Sequence, residues 1–151
     1  MAPNGNDTET NFRLQGEYFR RREDGNLVYD TAAITPAGTQ AGSLNSAQSG
    51  WYAQSVYQVM PMWRVGYRYD RLNSGSVNLG LVDSGTLAAA NFPIYSHFNP
   101  SRNTLMLDFS PSEFSRLRLQ FADDKSRLGA SDKQVFLQYI MSLGAHGAHN
   151  F

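Results

Sequence analysis

The stretch Phe114-Ser115-Arg116-Leu117-Arg118-Leu119-Gln120-Phe121 decides the fold class. Leu117, Leu119 and Phe121 alternate with Arg116, Arg118 and Gln120. A period of two belongs to a β-strand with one oily face and one wet face. Just upstream, Leu105, Leu107 and Phe109 alternate with Thr104, Met106 and Asp108. Downstream, Val135, Leu137, Tyr139, Met141 and Leu143 form a similar face, although Phe136 and Ile140 make its polar side less pure. Trp63, Val65, Tyr67 and Tyr69 alternate with Arg64, Gly66, Arg68 and Asp70. Phe12, Leu14, Gly16 and Tyr18 mark a further strand, and Trp51, Ala53, Ser55, Tyr57 and Val59 a less regular one. The pattern predicts an all-β chain with six strands, over 10–23, 50–60, 63–72, 102–110, 114–123 and 132–143.

The connections alternate in length. Met60-Pro61-Met62 and Ser110-Pro111-Ser112-Glu113 are tight, and Pro supplies the fixed φ that such turns favour. The other links, 24–49, 73–101 and 124–131, are longer and rich in Gly, Ser, Asn, Thr and Ala. Short turns on one side and long loops on the other are the habit of outer-membrane barrels. Trp63, Tyr57, Phe109 and Phe114 fall beside the short turns, while Trp51, Tyr69, Tyr18 and Phe121 fall at the long-loop ends. Two aromatic belts one strand apart suit the two membrane interfaces. The expected architecture is therefore an antiparallel up-and-down meander, part of a transmembrane β-barrel in the bacterial outer membrane. Leu117, Leu119, Phe121, Val65, Tyr67, Leu105 and Leu107 would face lipid. A soluble or surface β-sheet binding module using its long loops is the alternative, since alternation by itself fits both. Counting from a turn near residue 128 places Phe114 opposite residue 142 or so.

The composition narrows the function classes. The 151 residues bound the chain to one domain, and 13 basic against 13 acidic side chains give zero net charge. That balance argues against nucleic acid as a partner, because phosphate binding wants clustered excess positive charge. Cysteine is absent, which excludes a disulfide framework and thiol chemistry. No Gly-rich phosphate loop, HExxH or serine-nucleophile motif is present, so no enzyme activity is expected.

The segments LQGEYFRRREDG, SGWYAQSVYQVMPMWRVGYRYDRL, LDFSPSEFSRLRLQFADDKSR and QVFLQYIMSLGAHGAHNF together resemble the C-terminal part of a group of outer-membrane barrels. These are the zinc-regulated TonB-dependent receptor-like or porin-like proteins, and the terminal LGAHGAH followed by an aromatic is the most specific piece of the likeness. The resemblance implies a transport protein in the outer membrane, with a link to the uptake of a metal such as zinc. It also implies that Phe151 closes the last strand as a signal read by the barrel assembly machinery. No plug domain or energy-coupling box is visible, and the start MAPNGNDTET is polar, without an apolar leader core. Six strands are fewer than the eight of the smallest single-chain barrels. Residues 1–151 are accordingly expected to be the C-terminal part of a larger barrel, its missing N-terminal strands closing the wall. Closure by other copies of the chain is the alternative.

The wet faces carry Arg13, Glu17, Arg64, Arg68, Asp70, Asp108, Arg116 and Arg118. Facing a lumen, the arginines would suit carboxylate or phosphate. The plainer expectation is that Glu17, Asp70 and Asp108 pair with them and keep the lumen wet, in line with zero net charge. His146 and His149 are candidate metal ligands, zinc above all, with no other cofactor implied. Three apart on a strand they would point to opposite faces, and they converge only if the Gly-rich tail leaves the strand. His97 lies in a long loop and makes a poor third ligand.

Overall fold

The structure is a computed structural model, and it describes residues 2, 5, 6, 8–30, 32 and 38–142. Six strands dominate: β1 (Asn11–Asp30), β2 (Thr39–Met60), β3 (Trp63–Leu79), β4 (Ser101–Ser112), β5 (Ser115–Lys125) and β6 (Asp132–Met141). They form one six-stranded sheet in the order β1-β2-β3-β4-β5-β6, an antiparallel meander with β1 and β6 at its edges. Between β3 and β4 lie one helical turn, α1 (Gly80–Asp83), and two 3-10 turns, Ala89–Asn91 and Pro93–Tyr95. No helix among the described residues is long and apolar enough to cross a membrane, which says nothing of crossing by strands.

The residues group into two compact units, and β1, β2 and β3 contribute to both. The first comprises Met1–Gly16, Tyr52–Asp70 and Ser101–Phe151; the second comprises Glu17–Trp51 and Arg71–Pro100. In the first unit, the register pairs Leu105 with Phe121, Leu107 with Leu119 and Phe109 with Leu117. On the other side of β5, Leu117 pairs with Tyr139, Leu119 with Leu137 and Phe121 with Val135. Directly paired residues share a face, so the alternation read along each strand becomes one continuous apolar surface. The backbone N–H of Ser142 donates to the carbonyl of Phe114 at 2.9 Å, as the count from the β5–β6 turn predicts.

The short turns hold two local surprises. Met62 has φ 70°, the left-handed region. With Pro61 before it, Met62 sits where a type II turn wants Gly or Asn. Pro111 does not make the β4–β5 turn; it lies within β4, where the register shifts between Phe109 and Ser112. A residue without an N–H fits a strand only where the ladder is already broken. Trp63 and Phe109, expected in one aromatic belt, stack with ring centroids 4.7 Å apart.

Of the expected long loops, 24–49 is mostly strand, whereas 80–100 and 126–131 remain connections. β1 runs to Asp30, β2 begins at Thr39 and β3 continues to Leu79. Their outer portions belong to the second unit, whose buried core is Leu79, Leu81, Leu87 and Phe92. Leu27, Tyr29, Leu44 and Val77 on the strands pack against it. Small residues make this packing possible. A Cβ on Gly42 would lie 2.8 Å from Leu81 Cγ, and one on Gly75 would lie 1.9 Å from the carbonyl oxygen of Ala47. Gly75 also has φ +64°, where other residues are strained.

Candidate functional site

One face of the first unit is apolar and uncovered. Leu137 is 71% exposed, and Val135 and Tyr139 are each 66% exposed on the apolar face. Val65, Tyr67, Leu105, Leu107, Leu117 and Phe121 are exposed as well; Leu119 is half-buried among its neighbours. The most deeply buried side chain of the described chain is a carboxylate, Asp108, at 1% exposure. It projects from the opposite face, where its register partner is Arg118. That polar face encloses a hollow of about 430 Å³ lined by Arg13, Arg64, Arg68, Arg116 and Arg118, among others.

Strand parity places each arginine, and specific partners fix some of them. Arg118 holds Asp108 with a two-pronged fork, Nε to Oδ1 at 2.7 Å and Nη2 to Oδ2 at 2.8 Å. Such bidentate pairs combine charge with fixed geometry. Arg116 approaches the same carboxylate at 3.8 Å and donates to Ser110 Oγ at 3.3 Å. Arg68 donates to Asp70 at 2.6–3.0 Å, and its guanidinium lies 3.8 Å from the centroid of the Tyr52 ring. Stacking on an aromatic face holds the group without neutralising it. Arg64 Nε donates to the amide oxygen of Gln58 at 3.2 Å. Buried Gln58 also accepts from Asn11 at 3.1 Å and donates to the carbonyl of Thr8 at 2.8 Å.

The pairing expected from the sequence is thus only partly realised. Asp70 and Asp108 each take up arginines, but Glu17 is exposed, belongs to the second unit and makes no ion pair among the described residues. Neither Arg13 nor Arg64 has a carboxylate within ion-pair distance among the described residues. Sequence reading missed Tyr52, Gln54 and Gln58, although Gln54 and Gln58 share the parity of the polar-face positions on β2. It also missed Arg102, whose guanidinium reaches Asp124 at 3.6 Å and Gln134 at 3.2 Å.

His146, His149 and Phe151 lie outside the described residues. Among the described residues, no group of three or more His, Asp or Glu side chains converges to hold a metal. His97 is in the second unit, with its Nδ1 3.2 Å from Ser74 Oγ. At the β5–β6 turn, Arg127 forks onto Asp132, and that hydrogen-bonded carboxylate raises the guanidinium's pKa above its ordinary value. The second unit has an open cleft of about 400 Å³, where Phe19, Leu72, Tyr95 and Phe98 meet Arg21 and Asn73.

No family model matches the chain. No solved structure matches it. It is 29% identical over 142 residues to an uncharacterized protein of Aquifex aeolicus (strain VF5), and the match covers 91% of this chain. The chain spans about a quarter of that relative's length, 26%.

Proposed function

We propose that this sheet is part of the wall of a larger β-barrel, in a solute-transport or receptor protein of the bacterial outer membrane. The side-chain distribution carries the reading: Leu137 is largely exposed and Asp108 is buried. Water would penalise the uncovered apolar face, whereas lipid solvates it. Strands β4, β5 and β6 have 12, 11 and 10 residues. A tilted strand needs about 9–11 residues to cross the hydrocarbon layer. Edges β1 and β6 each require a partner, because an unmet backbone group in lipid costs on the order of several kcal/mol. Additional strands of the same protein meet that requirement.

The polar face would then line the lumen. Asp108 is tied to Arg118 and approached by Arg116, an arrangement that fixes charge rather than moves protons. The proposed role is passage or capture of solute, without catalysis.

Refolding tests the reading. The full-length protein carrying this sheet should regain a protease-resistant, heat-modifiable form only with detergent or lipid. A monodisperse, folded species in plain buffer would contradict it and favour a soluble β-sheet module.

A further inference from the structure

We propose that the polar face of the first unit binds small oxyanion solutes, with Arg13 and Arg64 as the groups that meet them; this deepens the barrel reading and rests on it. The argument begins with charge on one surface. Five guanidiniums, those of Arg13, Arg64, Arg68, Arg116 and Arg118, line the hollow. Two carboxylates, Asp70 and Asp108, pair with them, leaving an excess of three positive charges. Zero net charge over the whole chain hides this local excess.

The arginines fall into two groups by what holds them. Arg118 and Arg68 are committed, one to Asp108 and the other to Asp70 and the Tyr52 ring. They build a rigid wall. Arg13 and Arg64 lack any carboxylate among the described residues, and Arg64 spends only Nε on Gln58. Among the described residues its two terminal nitrogens have no hydrogen-bond partner, which leaves their donors for a ligand. A planar fork of donors matches a carboxylate or phosphate edge, which an ammonium group would meet only as a point charge. Gln54 and Gln120 border the same hollow and add neutral donors. Its volume of about 430 Å³ lies within the range of small-molecule sites. A wall built only to stay wet needs no such surplus, since each guanidinium could be matched by a carboxylate.

Calorimetric titration of the detergent-solubilised full-length protein at low salt tests the inference. Citrate serves as the carboxylate probe, inorganic pyrophosphate as the phosphate probe and choline as the cationic control. Saturable binding of at least one anion and none of choline is expected. Arg13→Gln with Arg64→Gln should weaken it by about tenfold or more, the scale of lost charge-assisted hydrogen bonds. Arg13→Lys with Arg64→Lys should lose less, and Arg22→Gln, in the second unit, should change it less than twofold. Equal affinity in the Gln double variant, or no saturable anion binding, overturns the inference. Phase separation in a cloud-point detergent, run on the same samples, separates the two claims. A protein that stays in the detergent phase without arginine-dependent binding refutes the oxyanion site alone. A protein that leaves for the aqueous phase refutes the barrel reading and the inference with it.

Discussion

Replacing Asp108 with Asn tests whether the buried charge cluster holds the sheet together. Asp108 is 1% exposed and accepts both prongs of Arg118, at 2.7 and 2.8 Å, with Arg116 at 3.8 Å. Removing one partner of a buried pair generally costs about 3–5 kcal/mol, because the other charge is left uncompensated. Here the Arg118 side chain keeps 23% of its exposure, so water recovers part of that loss. The Asn carbonyl can still accept one hydrogen bond. The expected destabilisation is therefore about 2–4 kcal/mol for Asp108→Asn. Arg118→Gln should cost less, about 1–2 kcal/mol, because Arg116 can close on the carboxylate. The double variant should cost less than the sum of the two, since they share one interaction. Urea unfolding in lipid vesicles, followed by tryptophan fluorescence, measures all three. Asp108→Asn within about 0.5 kcal/mol of the parent, or Arg118→Gln costing more than Asp108→Asn, would refute the reasoning.

Three other outcomes follow from local geometry. Gly75→Ala should destabilise the second unit by about 2–4 kcal/mol, since its Cβ would meet the Ala47 carbonyl and its φ is +64°; faster amide exchange in β2 and β3 is the readout. Phe92→Ala should remove about 3–5 kcal/mol from the same unit, because Phe92 is buried in its core against Tyr29; limited proteolysis should then cut between Gly80 and Pro100 first. Met62→Gly should stabilise the β2–β3 turn by about 1 kcal/mol by relieving a positive φ on a side-chain-bearing residue; a raised urea midpoint would register it.

Strands β4, β5 and β6 were legible to within two residues at each end, because large apolar side chains alternate with polar ones over most of their length. The outer parts of β1, β2 and β3 were not. In Thr39–Gly50 the alternating positions are mostly Gly, Ala, Ser, Asn and Gln, and that composition also describes a loop. What makes them strand is a ladder plus a small core supplied from Leu79–Phe92, a segment that reads as a connection. Strand parity groups Arg13, Arg64, Arg68, Asp108, Arg116 and Arg118, and all six line one hollow. Parity assigns a face but not a level along the strand, which is why Glu17 looked like a partner although it makes no ion pair among the described residues. That Arg13 and Arg64 have no carboxylate partner among the described residues was equally invisible, since it depends on which carboxylates lie across the sheet.

The central claim is that one face of this sheet meets lipid. Leu137→Arg and Gln120→Arg test it most directly, because they place the same charge on opposite faces at one level: Gln120 pairs with Phe136, the neighbour of Leu137. Folding free energies in vesicles should fall by about 2–4 kcal/mol for Leu137→Arg, the cost of a charge near mid-membrane, and by less than about 1 kcal/mol for Gln120→Arg. Equal costs, or a Leu137→Arg protein that is as stable as the parent and more soluble in plain buffer, would contradict the account.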